Sequence, residues 1–320
     1  MRRSKIAGIG IIVSALCMFG IVKSDAIPQP SKDQRRQETT TTRLDGPLSI
    51  APDTSLQEKV EQIPTGTSTI PTFPKTIHLS SLDALADASI VEEGEQQYQL
   101  VGLGIRTVSF LGIQVYVVGF YIAVPDIEKL QQRLVRKMDP VATTLVPGER
   151  QKLRELLMDP EKGEEAWDDI LKDGGIRTVF RIVPTRNTDF MHLRDGWVRG
   201  IAGRTQARTA AGDQSFNDES FGASVNDFKG IWGSGARKSV PKGEKLLLTR
   251  DAQGKMAAWF EEKRGSLRLG GVDDERISRL IWLGYLAGKN VSSEGARKSV
   301  VDGVMDFVGR PVGTVAQQVV

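Results

Sequence analysis

Val101-Gly-Leu-Gly-Ile-Arg106-Thr-Val-Ser-Phe110, then Leu111-Gly112, then Ile113-Gln-Val-Tyr-Val-Val-Gly-Phe-Tyr121 is the stretch on which the reading of this chain turns. Tyr98 to Phe110 and Ile113 to Val124 are rich in β-branched and aromatic residues and are split by a Leu-Gly pair, which predicts a β-hairpin. Alternate side chains of a strand share a face. Val101, Leu103 and Ile105 are therefore expected on one side, and Gly102, Gly104 and Arg106 on the other. Two glycines beside an arginine leave bare backbone next to a guanidinium, room for something flat or anionic to lie on the sheet. The same pattern also reads as a sheet-rim arginine beside a bulge-forming glycine pair. The second strand is apolar on both faces apart from Gln114, so it is expected to be central and covered. Tyr116 and Phe120 share its parity, and Tyr121 falls opposite. A buried tyrosine needs a partner for its hydroxyl, although plain core packing explains these rings too.

Working outward, apolar residues at three- and four-residue steps predict helices over Ile127 to Met138, Arg150 to Met158 and Glu161 to Leu171, the last ending at Gly174-Gly175. Arg177 to Val183 reads as a strand stopped by Pro184. With Asn187 as N-cap, a helix should carry His192, Trp197 and Ile201. A second should carry Phe216, Phe221, Val225, Phe228 and Trp232. Lys245 to Arg250 and Lys255 to Phe260 flank Asp251-Ala-Gln-Gly254, a hairpin turn signal. Two helices close the chain, Asp273 to Ala287 and about Ser293 to Val308. This order predicts an α+β domain, an antiparallel sheet with helices packed on one face.

The domain is expected over residues 75–315. Ahead of it, residues 1–24 form a hydrophobic anchor or signal segment: a basic start, then the uncharged run 6–22, at the short edge of what spans a bilayer. Residues 25–74 are rich in Pro, Thr, Ser and Gln and are expected to be a disordered linker. With 43 basic against 40 acidic residues the charges nearly balance, and no clustered basic excess marks a nucleic-acid binder. The single cysteine, Cys17, excludes an intramolecular disulfide and a cysteine-based metal site. Two histidines, His78 and His192, make a multi-histidine site improbable as a design. One histidine suffices for an axial haem ligand, a role open to His192, as is that of a hydrogen-bonded structural residue. Gly102-Leu-Gly-Ile-Arg lacks the later glycine and following helix of a dinucleotide loop, and no Gly-x-Ser-x-Gly elbow occurs.

Gly104-Ile-Arg106 leading to Gly119-Phe-Tyr121, Phe180-Arg-Ile-Val-Pro184 before a helix, and Leu286-Ala-Gly-Lys-Asn290 resemble, in the same order, the chalcone isomerase family. The N-terminal extension and Arg186-Asn-Thr-Asp-Phe-Met-His-Leu-Arg-Asp-Gly196 are similar to its fungal mitochondrial branch. The resemblance implies the open-faced sandwich of that family. It also implies a ligand site: in the plant enzymes an arginine steadies an enolate while threonine, tyrosine and asparagine side chains order water, the logic of an oxyanion site. Arg106 falls on the arginine position. Elsewhere the pattern departs: Tyr116 and Tyr285 stand at threonine positions, Arg181 at a lysine, Phe190 at the tyrosine, and Trp197 near the asparagine.

Loss of those donors argues against chalcone cyclisation. The resemblance implies instead a non-catalytic, membrane-tethered protein that holds an amphipathic carboxylate, haem or fatty acid, through Arg106. Gly102, Gly104, Tyr116, Arg181, Phe190 and Tyr285 are the other expected site residues. It places the chain in the mitochondrion, at the inner membrane, with residues 6–22 as tether; a secretory signal is the alternative. Two other functions stay open. One is an intramolecular lyase using Arg106 on an unidentified enone. The other is a ligand-free interaction scaffold, which predicts that side chains close the cleft over Gly102 and Gly104.

Overall fold

The computed structural model describes residues 60–80, 95–109, 111–233, 238–262 and 265–310. Short strands β1 (Gln62–Pro64), β2 (Thr72–Pro74) and β3 (Thr76–Ser80) precede the long hairpin β4 (Glu95–Val108) and β5 (Ile113–Ala123). Helices α1 (Ile127–Met138), α2 (Pro147–Met158) and α3 (Lys162–Lys172) lead to β6 (Thr178–Pro184), β7 (Thr188–Asp189), α4 (Phe190–Ala210) and α5 (Glu219–Ile231). Then come β8 (Ser239–Val240), β9 (Lys245–Arg250), β10 (Met256–Glu262), β11 (Gly265–Val272), α6 (Glu275–Leu286) and α7 (Glu294–Val308).

Seven strands form one antiparallel sheet in the order β11-β10-β9-β6-β5-β4-β3, and the helices pack on one face. This is the α+β architecture expected. β5 lies inside the sheet between β4 and β6, and from Tyr116 onward its parity is as read: Tyr116, Val118, Phe120 and Ile122 join the core under the helices, while Val117, Tyr121 and Ala123 join a smaller cluster on the opposite face. Val115, skipped where the pairing with β4 shifts between Arg106 and Thr107, packs on the side of Tyr116.

Two readings of β4 change. The pairing of β4 with β5 shifts between Leu100 and Gly102, a β-bulge. Val101 is carried onto the helix side, away from Leu103 and Ile105. The glycines do not open a floor for a ligand either. A Cβ on Gly104 would lie 2.7 Å from Ala296 Cα, and one on Gly102 2.5 Å from the Ser299 carbonyl carbon. Gly303 does the same from the helix, its Cβ falling 2.8 Å from the Val101 carbonyl carbon. Backbone of α7 lies directly on backbone of β4, and only glycine allows that distance. Serines sew the contact: Leu103 N–H donates to Ser299 Oγ (3.0 Å), and Ser293 Oγ, the N-cap of α7, donates to the Ile105 carbonyl (2.8 Å).

The domain also begins earlier than expected. Composition places residues 60–74 in the linker, but β1 pairs with β2 and Phe73 is fully buried in the opposite-face cluster. Gly119 makes that seat, since a Cβ there would stand 2.9 Å from Phe73 Cδ2. The polar composition of the segment hid one aromatic anchor. The run 6–22 and the rest of the linker, 25–59, lie outside the described residues, and no helix among those described is long and apolar enough to cross a membrane.

Asp126, buried at the start of α1, ties the hairpin to β6: it accepts from Arg177 N and Nε (3.0 and 2.7 Å), from Arg177 Nη2 (3.2 Å) and from Lys129 Nζ (3.1 Å). Burial raises its pKa, but the hydrogen bonds from Arg177 and Lys129 outweigh it and hold the carboxyl below its ordinary value. A depressed folded pKa means stability that is present above the unfolded value and lost as pH falls through the folded one. Asp126→Asn is expected to cost about 2 kcal/mol at neutral pH, and progressively less in acid, in urea denaturation followed across pH. A loss that did not shrink in acid would contradict this assignment.

Candidate functional site

A cavity of about 420 Å³ opens at the end of the hairpin, two residues beyond the glycine contact. Its walls come from the ends of β4 and β5, the turn after β6, the first three turns of α4 and the loop before α7. Arg106 and its cross-strand neighbour Tyr116 form one side. Arg106 Nη1 donates to the Ser292 carbonyl (2.9 Å), and no carboxylate lies within 4.0 Å of its guanidinium among the described residues. The remaining N–H groups are thus left for the cavity. Val115, Leu193 and Trp197 supply apolar wall, and Gly196 leaves the α4 side open, since a Cβ there meets nothing within 4 Å.

Behind Tyr116 lies a buried chain of hydrogen bonds. Trp197 Nε1 donates to Tyr285 Oη (2.9 Å), and the Tyr116 and Tyr285 hydroxyls are 2.9 Å apart. Either tyrosine hydroxyl can donate in the bond between them, and Tyr116 is also hydrogen-bonded with the Ser292 side chain. Burial pushes both phenols up in pKa, Tyr116 well above 10, with Arg106 opposing too weakly to reverse it. They are neutral donors.

All four tyrosines of the chain behave alike, for burial also lifts Tyr98 and Tyr121 to about 12. A raised folded pKa gives stability that is complete below the unfolded value near 10 and lost as pH climbs through the folded values. The expected result is a flat tyrosinate absorbance as pH passes 10, then a cooperative rise when the domain unfolds. Gradual ionisation with the circular dichroism unchanged would contradict it.

At the mouth, Asp189 caps α4 by accepting from His192 N (2.8 Å) and lies 2.5 Å from His192 Nδ1. Burial opposes the Asp189 charge, but the His192 contacts prevail and hold its carboxyl below the ordinary value. The N-cap is thus Asp189, two residues past the expected Asn187. The His192 side chain is 82% exposed. Arg186 and Arg199 also line the cavity, both exposed and neither with a carboxylate in salt-bridge range among the described residues. Neither was singled out in the sequence, where nothing marks them among many basic residues.

Of the expected site residues, Arg106, Tyr116, Tyr285 and His192 come together; four do not. Gly102 and Gly104 are closed by α7. Arg181 lies on the opposite face of the sheet with Val179 and Val183, its guanidinium 4.8 Å from the Phe73 ring centroid and its Nη1 without a hydrogen-bond partner among the described residues. Phe190 is core, its ring 5.4 Å from Phe260 and 6.1 Å from Trp232.

The matches to known proteins follow this geometry. Residues 96–301 match the family model described as chalcone isomerase like. The chain belongs to the chalcone isomerase-like family. Its curated relatives include "Altered inheritance of mitochondria protein 18, mitochondrial" of Debaryomyces hansenii, 35% identical over 214 residues that cover 66% of this chain and 67% of the relative. The protein of the same name from Eremothecium gossypii is 31% identical over 218 residues, 67% of this chain and 68% of the relative. These are fungal, so the non-plant branch is the one matched. Among solved structures, a fatty-acid binding protein of Arabidopsis thaliana superposes with a TM-score of 0.51 at 18% identity, over 78% of this chain and 100% of that one, a likeness of fold.

Proposed function

We propose that this chalcone isomerase-like domain binds an amphipathic carboxylate, haem or a fatty acid, with the carboxylate on Arg106 and the apolar body against Val115, Leu193 and Trp197. One observation carries the reading: a guanidinium without an acidic partner among the described residues faces a cavity backed by neutral phenols. Hydrogen bonds from a cation to a carboxylate are among the stronger polar contacts, and a cavity of about 420 Å³ is of ligand size. The name of the Arabidopsis structure points to the same ligand class.

His192 suits haem as well. Its Nδ1 is engaged by Asp189, and Nε2 has no partner among the described residues, the usual arrangement of a ligating imidazole with a carboxylate behind it. When bound, haem would supply an iron for His192 and two carboxylates for the arginines. Hemin added to the purified chain is expected to give a Soret band that His192→Ala weakens. Fatty-acid binding should survive that substitution. Gly196→Leu, which adds a good helix former where the cavity is open, should block both ligands without loss of stability. Unchanged binding by Gly196→Leu would place the ligand elsewhere.

A second reading has one observation in its favour: Arg106 beside two neutral phenols is also an electrophilic site for an enone oxygen. Chalcone turnover above the buffer rate that depends on Arg106 would establish it. The tether is read from residues 6–22 and the mitochondrion from the names of the relatives, while the inner membrane rests on the family resemblance alone. Carbonate extraction of membranes from cells carrying a C-terminal fluorescent fusion tests both.

A further inference from the structure

The hairpin that carries Arg106 ends in a turn that presents apolar surface beside the cavity. Val108, the last residue of β4, lines the cavity and is exposed, and Leu111 beyond the turn is 70% exposed. Ser109 holds the turn at φ 62°, a conformation uncommon for a residue with a side chain. Its carbonyl accepts from Gly112 N (3.2 Å) and its hydroxyl from Leu111 N (3.3 Å). Met191, in the first turn of α4 next to His192, is exposed as well. Three of the seven large apolar side chains exposed among the described residues thus belong to the segments that build the mouth.

Charge accompanies them. Arg186 and Arg199 line the same mouth without acidic partners among the described residues, and Asp189, the only acid among the described residues that line the cavity, is engaged by His192. Exposed apolar side chains beside unpaired arginines match an anionic bilayer, where the former enter the headgroup region and guanidinium groups pair with phosphates. We propose that the cavity mouth docks on an anionic lipid bilayer, with Val108 and Leu111 among the headgroups and Arg186 and Arg199 on lipid phosphates. The cavity then opens toward the membrane, where an amphipathic carboxylate is dissolved. Only this last step rests on the ligand reading; the docking itself does not.

The test uses the full chain with Cys17→Ser and one cysteine carrying an environment-sensitive fluorophore, at Leu111→Cys or at Val141→Cys. Val141 is 87% exposed, between α1 and α2, and does not line the cavity. Each protein is reconstituted into phosphatidylcholine vesicles with or without phosphatidylserine and with a quencher on the lipid acyl chains. Several-fold stronger quenching at Leu111→Cys than at Val141→Cys is expected, with phosphatidylserine only, and Arg186→Glu with Arg199→Glu should abolish it. Equal quenching at the two sites, none at Leu111→Cys, or no dependence on phosphatidylserine would overturn the proposal. Hemin binding by the same chain in detergent is read separately, so failure of docking and failure of the ligand reading are told apart.

Discussion

Gly104→Ala and Gly303→Ala are each expected to lower the stability of the domain by about 3 kcal/mol, at the upper end of overpacking effects. The neighbours a new methyl would meet are backbone atoms, Ala296 in one case and Val101 in the other, and neither can swing aside as a side chain would. Relief requires α7 to lift from β4, which would also stretch the Ser293 and Ser299 hydrogen bonds to that strand. For a domain of this size the loss corresponds to a fall of roughly 6–12 °C in Tm. Gly200→Ala is the comparison, since nothing lies within 4 Å of its Cβ and it sits inside α4; it should be neutral or stabilising by up to about 1 kcal/mol. If Gly104→Ala melted with the native protein, the direct contact of helix on strand would be wrong.

Arg106→Ala is expected to weaken binding of a carboxylate ligand about 10- to 100-fold, the range given by roughly 1.5–3 kcal/mol for hydrogen bonds to a charged group. Stability should change little, because Arg106 is half-buried and keeps one hydrogen bond, to the Ser292 carbonyl. The rim arginines should matter less. Arg186 and Arg199 are exposed and screened, so each replacement should weaken binding by threefold or so, and less at high salt. A lone effect of Arg106 that vanished at high salt would mean a surface contact and not an anchored carboxylate.

Period-two alternation placed β5 correctly from Tyr116 to Ala123, where the strand is buried on both faces, and failed at Val115, which a second shift in the pairing with β4 turns to the side of Tyr116. β4 misled at Val101, since a bulge adds a residue to one strand without any mark in the alternation. The glycine pair was noticed for the right property, its bare backbone, and given the wrong occupant, a ligand in place of α7. Gly303, in the partner helix, was the available clue. Arg181 was drawn to the cavity by correspondence with a family position, although simple parity already sets it apart from Phe180 and Ile182, which face the helices. Strands β1, β2, β3 and β11 went unread: they are short or glycine-rich, and at the sheet edge or outside it they bury too little to impose a pattern. Arg186, Arg199 and Asp189 became site residues only through the fold, which brings the turn after β6 and the start of α4 to the end of the hairpin.

The most direct test of the central claim titrates the full chain, Arg106→Ala and Arg181→Ala with hemin and with a long-chain fatty acid by calorimetry. The two arginines lie on opposite faces of one sheet, and only Arg106 lines the cavity. Loss of tenfold or more in affinity with Arg106→Ala, and native affinity with Arg181→Ala, is the result expected. Native affinity with Arg106→Ala, or an equal loss with Arg181→Ala, would contradict the assignment of this cavity as the carboxylate site.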